Sequence, residues 1–219
     1  MLKDNRLRLL AEMTPSCNTA ADIGADHGFL GCELLETGRC GEVWFTDRSS
    51  SSLDKARQLV QQKMLLDRSR FFVGDGALPL PGTPDAAIIA GMGGHTIVHI
   101  LEQGADKLRD TKLILGANTA LAELRKWLSQ HEYSITDEAA VREAERFYVI
   151  LCAEAGKMEL CEDDIIVGPV LKEKADCDTR AYFQYRLRGA CLALARACES
   201  KSADLQKLRK ETERWQKYL

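Results

Sequence analysis

With 219 residues, 45% of them apolar and 29% charged, the chain has the composition of a soluble globular protein. That length holds one ordinary domain and an appendage. No run approaches the roughly 18 apolar residues of a membrane span, and the charged opening MLKDNRLRLL lacks the apolar core of a secretory signal. A cytoplasmic protein with no membrane partner is therefore expected.

Residues 2–13 carry Leu2, Leu7, Leu9, Leu10 and Met13 and predict an amphipathic helix that Pro15 ends. Short apolar runs then alternate with helical patterns. Strands are predicted at 19–23, 42–46, 70–74, 85–90 and 111–116, and helices at 28–37, 50–66, 94–103 and 119–130. Alternation of this kind, with nearly continuous apolar strands, predicts a parallel sheet covered on both faces. Two further strands, 132–140 and 146–153, follow with only the short polar connection 141–145 between them. A parallel crossover needs about a dozen residues, so this pair predicts an antiparallel hairpin closing the sheet. The fold class expected is α/β, a Rossmann-like sheet with an antiparallel final strand.

Residues 155–168 read as a connector, and everything beyond Pro169 reads as helix. Phe183, Leu187, Ala190, Leu194 and Ala197 repeat at heptad spacing. Leu205, Leu208, Trp215 and Leu219 do so again after the polar stretch Glu199 to Ser202. A helical hairpin results, and the expected domains are 1–156 and 157–219. The hairpin is basic, with ten Lys/Arg against four Asp/Glu in residues 179–219 of a chain whose net charge is −3. Such a tail on an acidic body suits a protein that meets a polyanion with one part only. Arg180, Arg186 and Arg188 are the candidate phosphate contacts, with Lys207, Arg209 and Lys210 beside them in the second helix. The eight cysteines form no CxxC pair and no zinc-spaced cluster, so buried, reduced thiols and no metal are expected.

The chemistry concentrates after the strands, where open α/β sheets bind ligands. Strand one runs into ADIGADHG, residues 21–28, which places Asp22, Gly24, Asp26, His27 and Gly28 in a glycine turn. Asp47 and Arg48 follow strand two, where an acid can accept both hydroxyls of a ribose. Asp75 and Gly76 follow strand three, where the acid can accept from an adenine amino group. Gly91, Met92, Gly93 and Gly94 follow strand four as a backbone-rich wall. Dinucleotides and ATP call for phosphate cradles with a compensating cation. Acids after three successive strands instead suit a ligand with a ribose, an adenine and a positive charge. S-adenosylmethionine has these features, and an NAD oxidoreductase is disfavoured.

On these residues the chain resembles the bacterial tRNA (adenine(22)-N1)-methyltransferase family, the TrmK family. The likeness lies in ADIGADHGFL at 21–30, VGDG at 73–76, AAIIAGMGGHTIVHILEQG at 86–104, LRKWL at 124–128 and ERFYVILCAEAG at 145–156. It implies a class I methyltransferase fold, S-adenosylmethionine as cofactor, tRNA as substrate and a C-terminal coiled-coil hairpin. The chain departs from the family where Gly116-Ala117-Asn118 replaces Gln-Pro-Asn, where Gly31 replaces a proline and where Asp47 replaces a glutamate. The run Ser49 to Ser52 also differs from the usual segment.

Adenine N1 has a free lone pair, so methylation there needs positioning more than a strong base. Asp26 and Asn118 are the catalytic candidates. Cofactor contacts are expected from Asp22, Gly24, His27, Asp47, Arg48, Asp75, Gly76, Gly91 and Met92, and substrate contacts from Gly93 and Gly94 with the three arginines. A monomer is the expected state. Two alternatives stand beside this reading: a methyltransferase for another RNA, a protein or a small molecule, and a non-catalytic relative that only binds cofactor or RNA.

Overall fold

A computed structural model describes residues 4–200 and 205–219, without the side chains of 199 and 200. Leu2 and the second half, 201–202, of the expected polar turn Glu199 to Ser202 lie outside the described residues, while its first half continues a helix. Asp4 caps the first helix, α1 (Asn5–Met13), by accepting from the Leu7 backbone N–H. The α/β alternation then runs β1 (Cys17–Ile23), α2 (Phe29–Glu36), β2 (Cys40–Asp47), α3 (Ser50–Gln62), β3 (Ser69–Val73), β4 (Ala86–Met92), α4 (Gly94–Gln103), α5 (Ala105–Leu108), β5 (Lys112–Ala117) and α6 (Leu121–Gln130). The closing strands are β6 (Tyr133–Glu143) and β7 (Arg146–Ala155), and the C-terminal helices are α7 (Glu162–Ile166), α8 (Cys177–Ser200) and α9 (Leu205–Lys217).

The strands form one sheet in the order β3-β2-β1-β4-β5-β7-β6. Strands β1 to β5 are mutually parallel, and β7 runs antiparallel to both of its neighbours. The antiparallel strand is therefore inserted between β5 and β6, and β6 forms the edge. Period-two alternation explains the apolar runs. In β4, Ala87 and Ile89 join a core under α4 and α6, while Ala86 and Ile88 join the opposite core under α1, α2 and α3. Gly31 shows how tightly the second layer packs, since a Cβ there would collide with the Phe45 ring.

Helix α3 ends earlier than its apolar pattern predicts. Met64 adopts a left-handed φ of 56°, and the Leu65 N–H turns back to the Val60 carbonyl. The connector 155–168 likewise contains the short helix α7, which sequence periodicity cannot reveal at that length.

In α8, Phe183, Ala190 and Ala197 are buried, and Leu187 and Leu194 half-buried, as the heptad spacing predicts. Trp215 of α9 is fully buried, but Leu219, which follows the end of that helix, is exposed. The hairpin shares an apolar cluster with the sheet edge, formed by Ala140 and Val149 of the strands with Phe183, Ala190 and Trp215. Its helices bury only one face, which overturns the expectation of buried cysteines. Cys161, Cys177, Cys191 and Cys198 are exposed; Cys32 and Cys40 are buried.

Candidate active site

The sheet changes direction of winding between β1 and β4, and a cavity of about 500 Å³ opens beyond the carboxyl ends of these two strands. Asp22, Gly24, Asp26, His27, Asp47, Gly91 and Met92 line it. Strand pairing brings them together: Gly24 and Ala25 donate to the Thr46 carbonyl, which draws the glycine turn across the end of β2. Gly24 and Gly28 adopt left-handed φ values of 78° and 73°. A Cβ on Gly24 would collide with the Met92 methyl group, and one on Gly28 would come within 2.8 Å of Ala56. Gly91, with φ of 79°, lies where the β4–β5 register shifts between Ala90 and Met92. This bulge turns the backbone toward the cavity.

The carboxylates have distinct settings. Asp22 is 6% exposed, and its Oδ2 accepts from the Gly31 N–H in the first turn of α2 at 3.2 Å. Burial raises its pKa to about 7, against the lowering effect of that hydrogen bond, and Asp47 adds to the rise. Asp47 accepts from the Asp26 N–H at 3.2 Å and from the Ser49 N–H at 2.8 Å, tying the turn to the start of α3. Asp26 is exposed at the rim with φ of 45°, its Oδ2 3.5 Å from His27 Nε2. The His27 ring stacks on Phe29, at 5.7 Å between centroids.

Other sequence-predicted residues are placed less directly. Asp75 does not line the cavity but reaches Arg48 across the rim at 3.8 Å. Gly76 is buried, and its carbonyl accepts from Thr46 Oγ1. Asn118 is exposed beside the cavity wall, its N–H donating to the Met92 carbonyl at 2.8 Å. Gly94 is buried against the Ala120 carbonyl, with no room for a Cβ, so packing rather than substrate contact demands this glycine. Gly93 caps α4 next to Thr119. Arg186 stacks over Trp215 at 4.5 Å and donates to the Tyr182 hydroxyl, so it serves the helical hairpin; Arg180 and Arg188 are exposed. No group of three or more potential metal ligands occurs among the described residues.

Sequence reasoning missed Arg6, which α1 holds over the cavity from the opposite side. Its guanidinium lies over the Tyr148 ring at 5.3 Å and 3.8 Å from Asp4, and an added Cβ at Gly91 would stand 3.5 Å from its Nη1. No motif marks it, because α1 and β7 meet only in the folded chain. Phe29, Leu7 and Leu10 complete the apolar part of the wall.

The residues fit S-adenosylmethionine and not a pyrophosphate. The first turn of α2, where a phosphate would dock, is already engaged by the carboxylate of Asp22. Among the described residues the lining offers three carboxylates, one arginine and no lysine. A ligand bearing a sulfonium, an ammonium and a single carboxylate matches that donor set.

A profile described as "Methyltransferase domain" matches residues 3–151. The tRNA (adenine(22)-N(1))-methyltransferase of Bacillus subtilis (strain 168) is 35% identical over 178 residues, spanning 77% of this chain and 75% of the relative. The chain belongs to the tRNA (adenine(22)-N1)-methyltransferase family. A further relative, the "Putative tRNA methyltransferase MG248" of Mycoplasma genitalium, is 30% identical over 76% of the chain and 77% of its own length. Among solved structures, the Bacillus subtilis m1A22 tRNA methyltransferase TrmK superposes with a TM-score of 0.85 at 27% identity, covering 99% of this chain and 98% of that one. Streptococcus pneumoniae Sp1610 in complex with S-adenosyl-L-methionine superposes with a TM-score of 0.89 at 28% identity, with both chains fully covered (100%). The family's sheet and its C-terminal helices are thus both present here.

Proposed function

We propose that this protein transfers a methyl group from S-adenosylmethionine to N1 of an adenine in tRNA, at position 22. Residues 1–156 carry the transfer and residues 157–219 hold the RNA. The observation that carries the reading is the occupied helix start: Asp22 caps α2 from within the protein, so the turn recognises a cation and not a phosphate. Family membership supplies the substrate class.

Bound S-adenosylmethionine supplies an electrophilic methyl group on sulfur. Asp47 accepts from ribose hydroxyls, and Asp75 accepts from the adenine amino group at the far rim. Gly24 and Gly91 let the backbone approach where no side chain intervenes. Asp26 and Asn118 face the target adenine from the rim and hold its N6 amino group, which fixes the line of approach of N1. A carboxylate beside a purine that becomes cationic also stabilises the transition state. N1 lies on the pairing edge, so the base must enter unpaired or flipped out. Arg180 and Arg188 contact phosphates.

Purified protein, labelled S-adenosylmethionine and unmodified bulk tRNA test this reading. Label in 1-methyladenosine on nucleoside analysis is the expected result. Cofactor binding without transfer, or label in another nucleoside, overturns it.

A further inference from the structure

Cys17 opens β1 and Cys40 opens β2, and the two are partners in the parallel register. Such partners project to the same face of a sheet, and here their Sγ atoms stand 3.2 Å apart. Neighbouring strands run about 4.8 Å apart, within the Cα separation of roughly 4.4–6.8 Å that a disulfide spans. The pair lies at the amino ends of the strands, across the sheet from the cofactor cavity, and takes no part in methyl transfer.

The two thiols differ in access. Cys17 is half-buried and lines an open cleft of about 650 Å³ with Pro15, Arg39, Asp85 and Lys112. Cys40 is 1% exposed and sits behind it. The hydrogen bond with Cys40 holds the Cys17 thiol below its ordinary pKa, against burial and Asp85, with help from Lys112. The same bond, burial and the charge of Cys17 push Cys40 upward. Cys17 is thus the more accessible and more readily ionised thiol, and Cys40 the buried neighbour that holds its proton more firmly.

We propose that Cys17 and Cys40 form an oxidisable dithiol site that hydrogen peroxide converts into a disulfide, Cys17 attacking first and Cys40 resolving. The Cys17 thiolate attacks one peroxide oxygen; the O–O bond breaks, leaving a sulfenic acid and hydroxide. Cys40 sulfur then attacks Cys17 sulfur, the S–O bond breaks, and the departing oxygen takes the Cys40 proton and leaves as water. Each disulfide consumes one peroxide and oxidises both thiols. The bridge closes the segment that carries the glycine turn and α2.

The test uses the full chain, reduced, titrated with hydrogen peroxide, then alkylated in denaturant and mapped by mass spectrometry. The expected product is about 2 Da lighter than the reduced protein and yields a peptide linking Cys17 to Cys40, reversible by dithiothreitol. Cys161, Cys177, Cys191 and Cys198 compete as exposed thiols. If these oxidise while Cys17 and Cys40 both still alkylate, the site does not exist. In Cys40→Ser, Cys17 should accumulate as a sulfenic acid trapped by dimedone, and in Cys17→Ser, Cys40 should stay reduced. Wild-type Cys17 advancing to sulfinic acid with Cys40 free would overturn the resolving role. The unsubstituted chain decides the matter even where a variant fails to fold, and a thiol readout is independent of methyl transfer.

Discussion

Arg125 Nε and Glu138 Oε1 meet at 2.8 Å with neither side chain exposed to solvent. The pair joins α6 to the edge strand β6, and each partner also reaches the segment leading to the C-terminal helices. Glu138 Oε2 accepts from the backbone N–H groups of Val170 and Leu171, each at 3.0 Å, and Arg125 Nη1 donates to the carbonyls of Ile165 and Ile166. Arg125 Nη2 has no hydrogen-bond partner among the described residues. Removing one member strands a buried charge and costs about 3–5 kcal/mol. Replacing both with apolar residues removes the stranded charge but still takes partners from the Val170 and Leu171 N–H groups and the Ile165 and Ile166 carbonyls. Urea denaturation should therefore show Glu138→Gln strongly destabilised and Arg125→Met with Glu138→Leu only partly recovered. Equal loss in both would contradict this account of the pair.

Gly168 extends the same clasp. Its φ is 119°, and a Cβ there would run into the Glu138 carboxylate and the Arg125 guanidinium. Gly168→Ala should lower stability by about 1–3 kcal/mol from backbone strain, and by more where the ion pair is forced apart. A melting temperature equal to wild type would refute it.

Asp22 gives the protein a pH dependence opposite in sign to that of a salt-bridged carboxylate. Its pKa is about 7 in the fold, against about 3.9 in an unfolded chain. Between these values the native state binds more protons, so stability falls as pH rises from about 4 through 7. Below that window the penalty is absent; above it the penalty is fully present. Asp22→Asn should flatten the stability profile between pH 5 and 8 (roughly this interval). A cation entering the cavity favours the ionised form, so cofactor binding near neutral pH should release protons. Titration calorimetry in buffers of different ionisation enthalpy measures that release, and none in wild type would count against the assignment.

Asp47 and Asp26 should separate binding from turnover. Asp47 accepts two backbone N–H groups that shape the turn, and Asp47→Ala should raise the cofactor Kd by about 10- to 100-fold, the scale of a charged hydrogen bond. Asp26 is exposed at the rim, and Asp26→Ala should lower kcat by about 10²-fold with Kd little changed. Losses of the same kind in both variants would dissolve the division of roles.

Among the described residues Arg6 is the one arginine lining the cavity, and its guanidinium complements a carboxylate. Arg6→Ala should weaken S-adenosylmethionine about tenfold and leave the decarboxylated analogue unaffected. Equal weakening of both ligands would remove the carboxylate from its role.

The parallel sheet, the glycine turn and the acids after β1, β2 and β3 were legible in the sequence, because each is a local pattern. Strand periodicity spans a few residues, and open α/β sheets place their ligands at the strand ends. Gly31 shows the limit of such reading. Its difference from the family pattern is visible in the chain, but its reason, the Phe45 ring pressed against it, is not.

The rest was decided by contacts between residues far apart in the chain. Sequence alone could not place β7 inside β6, turn the Asp22 carboxylate onto the start of α2, or bring Arg6 over Gly91 and Tyr148. Nor could it pair Arg125 with Glu138, or Cys17 with Cys40. Only a closed chain supplies the burial that shifts a pKa or makes an ion pair costly to break. The sequence determined what chemistry the strand ends carry; the packing decided which groups are charged, which are free and which hold the others in place.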